Sequence, residues 1–213
     1  MNPQIILGYV LRIPAVLIAL TFHECAHGWV SYKLGDPTAK NLGRLTLNPI
    51  KHIDPFGLIL MIVVGFGYAK PVPVNSRYYK KPKRDMALVA AAGPLANILI
   101  AFIAVFIYKC LLLIRTDGYV LVAAVNFFAI LASLNVYLAI FNLIPIPPLD
   151  GSRLAFIFLP TKWYFGIMKY ERYIMIGFYV LLFLGAFTGV LSAISSWVLG
   201  GMEGLISLIP IFR

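Results

Sequence analysis

His23-Glu24-Cys25-Ala26-His27 sets two imidazoles four residues apart with a carboxylate between them. On a helix, residues i and i+4 share a face, so both rings can reach one cation, and the glutamate is placed to act as general base on a water beside it. With histidine and glutamate at 3 residues each in 213, a random match has a probability of about 0.0006. The plainer reading is a hydrogen-bonded knot of His23, Glu24 and His27 that ties helices together. It leaves a buried glutamate without a cation partner, which apolar surroundings penalise heavily. A catalytic zinc takes three protein ligands and a water. The residue six after His27 is Lys33, so a third histidine at the metzincin spacing is excluded. The later glutamates, Glu171 and Glu203, are remote. His52, the remaining histidine, reads as an exposed or interfacial loop residue. Asp150 is the better third ligand. It follows Asn142-Leu143-Ile144-Pro145-Ile146-Pro147-Pro148-Leu149, whose three prolines break a helix. Unwound backbone at membrane depth is tolerated only where it lines a protein cavity. The competing role for Asp150 is a simple Asp-Gly turn.

The elements that position these residues are set by an unusual composition. Of 213 residues, 61% are apolar and 12% charged, half the charge of a soluble globular domain. This excludes a disordered chain and predicts an all-α polytopic membrane protein, a single membrane-embedded domain over 1–213. With Cys25 and Cys110 as the only cysteines, a disulfide scaffold is excluded too. A bilayer core of roughly 30 Å needs about 20 apolar residues of helix. Four stretches meet that need: 13–32, 86–114, 119–143 and 173–199. The run 56–66 is too short to cross and reads as a re-entrant or interfacial segment. The first dozen residues lack the basic start of a signal peptide. Flanking the short run, 43–47 and 70–75 read as strands of a short β-hairpin.

The net charge of +10 becomes an orientation signal. Ten cations lie between Lys33 and Arg84, and Arg153, Lys162, Lys169 and Arg172 lie between the third and fourth spans. Arg12, Lys109, Arg115 and Arg213 remain for the other side. The positive-inside rule therefore puts both basic loops, and the metal motif, toward the cytoplasm, with both termini outside in a multi-pass cell-membrane protein. The block Arg77–Arg84 then faces anionic lipid headgroups, and no nucleic-acid partner is needed to explain the charge.

At the level of motifs the chain resembles the site-2 protease family of intramembrane zinc metalloproteases. The resemblance rests on His23-Glu24-Cys25-Ala26-His27-Gly28 and on Asn142-x-x-Pro145 leading to Leu149-Asp150-Gly151. Gly93-Pro94-Leu95-Ala96-Asn97 and Leu47-Asn48-Pro49…Asp54-Pro55-Phe56-Gly57 support it. It implies one zinc per chain held by His23, His27 and Asp150, with Glu24 activating water, and a substrate that is itself a transmembrane helix. Many members carry a soluble peptide-binding or nucleotide-sensing domain. No stretch here is long and polar enough for either, so the minimal form is expected.

For the chemistry, Asn142 is the candidate donor to a developing oxyanion, against a role as helix-end cap. Asn97 reads as a residue that stitches helices together. Cys25 reads as a small packing residue. A substrate helix must unwind to be cut, and an extended edge at 43–47 or 70–75 could receive it by β-augmentation. The rival from another class is a non-proteolytic transporter or channel whose membrane His and Asp bind an ion. That reading gives Glu24 no task.

Overall fold

The computed structural model describes residues 3–57, 59, 69–114 and 118–212. Helix α1 (Pro3–Lys33) is continuous. It takes in the expected span and also residues 3–12 before it, where the Arg12 guanidinium sits 5.6 Å from the centre of the Tyr9 ring. A single turn, Thr38–Asn41, and two 3-10 turns, Pro49–Lys51 and Ser76–Tyr78, punctuate the following loop. Then come α2 (Pro82–Leu112), α3 (Tyr119–Asn142) and the six-residue α4 (Asp150–Ala155). The last are α5 (Thr161–Lys169), α6 (Glu171–Phe183) and α7 (Thr188–Ile206).

Among the described residues, α1, α2, α3 and α7 are long and apolar enough to cross a membrane. The fourth such helix is 188–206, and the expected stretch 173–199 is divided between α6 and α7. The expected span is interrupted where α6 ends. Gly185 takes a left-handed φ of +75°, its N–H reaches Leu182 O at 2.9 Å, and Ala186 N–H reaches Leu181 O at 3.0 Å. That pair of bonds closes a helix end in the Schellman manner. Nothing in Leu184-Gly185-Ala186-Phe187 is polar, so hydropathy runs straight through the break.

The bundle centre is built from small side chains. Ala15 on α1, Ala101 and Ala104 on α2, and Ala132 and Val136 on α3 are buried together, joined by Met202 and Ile206 of α7. Lipid is as apolar as a leucine side chain, so helices associate through close contact of small residues. The large apolar side chains turn outward instead: Leu95 is 65% and Trp197 80% exposed. In water such a surface would aggregate; in a bilayer it is the solvated face.

The expected hairpin does not form. Residues 43–47 are turns and bends, 70–75 are irregular with Asn75 in the extended region, and the described residues contain no strand. Pro71 and Pro73 have no N–H to give a ladder. The two segments meet instead through the Arg44 guanidinium, which donates to Lys70 O at 2.8 Å. The re-entrant expectation for 56–66 falls largely on 58 and 60–66, outside the described residues.

Candidate metal centre

The helical spacing does what the motif predicts. His23 and His27 lie on one face of α1 with ring centroids 4.6 Å apart, and their Nε2 atoms are 3.0 Å apart. Asp150 comes from the opposite direction, on the first turn of α4 after the proline-rich break. Its Oδ2 lies 3.2 Å from each of the two Nε2 atoms. The three residues expected as metal ligands are thus brought together, and they form the one group of metal-ligating side chains found among the described residues. Two glycines make this approach possible. A Cβ at Gly93 on α2 would stand 2.5 Å from His23 Cε1 and from His27 Nε2. A Cβ at Gly151 would collide with the Leu143 and Ile144 backbone.

Whether this trio fits a cation can be tested on its protons. His27 Nδ1 donates to Val89 O at 2.7 Å, and a carbonyl can only accept. His23 Nδ1 donates to Asn97 Oδ1 at 2.6 Å. In a neutral imidazole the proton is then on Nδ1 and the lone pair on Nε2. Two bare nitrogens and a carboxylate oxygen therefore point at one another, and Asp150 Oδ2 is buried with no hydrogen-bond donor. Such a trio repels itself unless a cation lies between its members. Tetrahedral zinc with bonds of about 2.0–2.1 Å separates its ligands by about 3.3 Å, close to the spacings here. The donor set fits zinc.

Glu24, next to His23, is almost fully buried. Its Oε2 accepts the Val72 N–H at 2.7 Å, which leaves Oε1 for chemistry. A cavity of about 300 Å³ opens here, lined by Glu24, both histidines, Asp150, Asn142 and the loop residues Pro71, Val72 and Val74. Asn142 sits in its wall at the end of α3, with Nδ2 donating to Leu138 O at 2.9 Å.

The segment 70–75 is held at three points. Lys70 N–H donates to His52 O at 2.9 Å, Val72 N–H to Glu24, and Asn75 N–H to Asp36 Oδ2 at 2.7 Å. Asp36, a plain loop acid by sequence, is fully buried. Burial pushes its carboxyl up, but hydrogen bonds from the Thr38 hydroxyl, the Asn75 and Thr38 N–H groups and the Ser31 hydroxyl outweigh this and hold it below the usual carboxylate range.

His52 corrects the sequence reading. It is fully buried, not exposed, and its Nε2 donates to Thr46 O at 2.7 Å. It supports the loop and does not join the metal trio. Asn97 does stitch helices, as expected, but it also holds His23. Asn135, 0% exposed on α3, donates nothing to the cavity yet bonds Asn97. An amide inside an apolar span is the one signal of it in the sequence.

Comparison with known proteins agrees with this geometry. The model of Peptidase family M50 matches residues 12–119 and 114–188. A Bacillus subtilis protein named "Putative zinc metalloprotease YwhC" is 47% identical over 171 residues, covering 78% of this chain and 77% of the relative. The Mycolicibacterium smegmatis protein named "Putative zinc metalloprotease Rip2" is 33% identical over 67% of this chain, which spans 55% of that relative's length. The Methanocaldococcus jannaschii protein named "Putative zinc metalloprotease MJ0611" is 32% identical over 70% of each chain. No solved structure matches. The family match spans most of the chain, including both segments that supply the metal trio, and the chain belongs to Peptidase family M50, the site-2 protease family.

Proposed function

We propose that this M50 member hydrolyses a peptide bond within or beside a transmembrane segment of another membrane protein, with its metal centre toward the cytoplasm. The observation that carries the reading is the convergence of the His23 and His27 Nε2 atoms, whose Nδ1 atoms face Asn97 Oδ1 and Val89 O, and the Asp150 Oδ2 on one point, beside a buried glutamate. The relatives described above are named as metalloproteases, not carriers, and an ion carrier has no use for Glu24 between two ligands.

His23, His27 and Asp150 would hold zinc, which supplies a Lewis acid that acidifies water and polarises a carbonyl. Glu24 Oε1 takes the proton of the attacking water and later delivers it to the leaving amine. Val72 N–H keeps the carboxylate aimed while it does so. Asn142 lines the cavity and still has one amide hydrogen beyond its bond to Leu138 O, available to the developing oxyanion. The Lys70–Val74 segment borders the cavity without a ladder partner, so an unwound substrate can lie along it in extended form.

The test is Glu24→Gln in the purified full chain, with a transmembrane-helix reporter in proteoliposomes. The variant should keep one zinc per chain and lose about 10²–10⁴-fold in cleavage rate, the range for a lost general base. Cleavage near the parental rate would overturn the proposal.

A further inference from the structure

We infer that Asn135 is a positioning residue for the metal centre: acting through Asn97, it fixes which nitrogen of His23 carries the proton. The inference rests on the reading of His23 as a zinc ligand and extends it across three helices.

An asparagine amide has one accepting end and one donating end, and its orientation is decided by its neighbours. Asn97 must present Oδ1 to His23 Nδ1. If it presented Nδ2, the His23 proton would have to move to Nε2 and the ligand lone pair would be lost. The side chain of Asn97 alone does not choose between these. Its environment does, beginning at a group that can only accept.

That group is Leu131 O on α3. Asn135 Nδ2 donates to it at 2.8 Å, which turns Asn135 Oδ1 toward α2. There it accepts from Asn97 Nδ2 at 2.7 Å. Asn97 Nδ2 also points at Ala19 O on α1, at 3.4 Å. With Nδ2 committed to these two acceptors, Oδ1 is left to face His23 Nδ1 at 2.6 Å. Both asparagines are 0% exposed, so no water can substitute for a missing link. The polarity of a backbone carbonyl on α3 is thus passed through two amides to a ring nitrogen on α1. Outer partners of this kind set ligand tautomer and orientation, and their loss typically weakens metal binding by 10- to 100-fold.

The experiment measures zinc affinity of the full chain in detergent by competition with a chromophoric chelator, with the visible spectrum of the Co²⁺ form as a second readout. Asn135→Leu, similar in size but without an acceptor, should weaken zinc by about 10- to 100-fold and alter the Co²⁺ bands. In an Asn97→Ala background the same change should have no further effect, because residues acting in series are not additive. Asn135→Asp guards against a variant that simply misfolds. Buried among apolar helices its carboxyl stays protonated, so it donates to Leu131 O and accepts from Asn97, and zinc affinity should stay within about threefold of the parent. Three results would each overturn the inference while leaving zinc binding itself intact: unchanged affinity in Asn135→Leu, an equal loss in both backgrounds, or an Asn135→Asp chain of parental helix content that is as weak as Asn135→Leu. A parental chain that binds no zinc would instead overturn the metal reading and this inference with it.

Discussion

Asn142 illustrates how a polar group at a helix end can serve two masters. Its Nδ2 closes back on Leu138 O, as a helix-end amide should, and its side chain also lies in the cavity wall with Asp150 and Glu24. A cap and an oxyanion donor make different predictions. If the amide serves the transition state, Asn142→Ala should lower kcat by about 10²–10³-fold, the usual loss for one oxyanion donor, with KM and zinc content unchanged. A kcat within a few-fold of the parent, measured on the reporter substrate, would reduce Asn142 to its cap. At this scale the sequence was informative where chemistry is carried by residue type and spacing. That His23, His27 and Asp150 come together is legible because i, i+4 geometry is local and because prolines and glycine mark the break before Asp150. His52 reads as exposed in the sequence because burial is a tertiary property. A histidine in a basic loop has nothing local to say that Thr46 O and the Lys70 backbone will enclose it.

The segment 70–75 is the element least legible beforehand and the one on which Glu24 depends. Its alternating prolines suit an extended conformation but remove the donors that a hairpin would need, so the expected pairing with 43–47 gives way to side-chain ties from Arg44, Glu24 and Asp36. Those ties link residues 26 to 48 positions apart, beyond any periodicity in the sequence. The spans show the complementary case. α3 matches its expected bounds to within one residue and α2 to within four, since a hydrophobic run is a local signal, whereas the break before α7 hides in apolar residues. If 70–75 receives the substrate backbone, removing one more donor from its cavity side should matter. Val74→Pro should lower kcat/KM by at least about tenfold through lost main-chain pairing. Zinc stoichiometry should stay at one per chain, since residue 74 is not a ligand. Parental turnover in Val74→Pro would mean that the segment only braces Glu24.

For the whole molecule, depth in the bilayer can be read from who packs with whom. The metal trio joins the C-terminal half of α1 to the start of α4, and Lys83 Nζ donates to Leu159 O close by, so the cationic loops gather at this end. α7 begins at the same level, because Leu191 clusters with Phe141 and Phe178. It ends at the opposite one, where Met202 and Ile206 meet Ala104 and Val105 and Lys109 Nζ donates to Ser207 Oγ at 3.3 Å. α7 therefore runs from the metal end to the opposite end of the bundle. Four crossings, with cations concentrated at one end, would under the positive-inside rule put that end in the cytoplasm, the orientation proposed above. Single cysteines provide the check, in a chain whose own Cys25 and Cys110 have been replaced by alanine and serine. Tyr119, 94% exposed at the start of α3, should be labelled by a membrane-impermeant maleimide in intact cells once changed to cysteine. Lys40→Cys, in the basic loop, should be labelled only after permeabilisation. The reverse pattern would place the metal centre toward the outside, and the substrate bond would then have to be sought in the outer half of its helix.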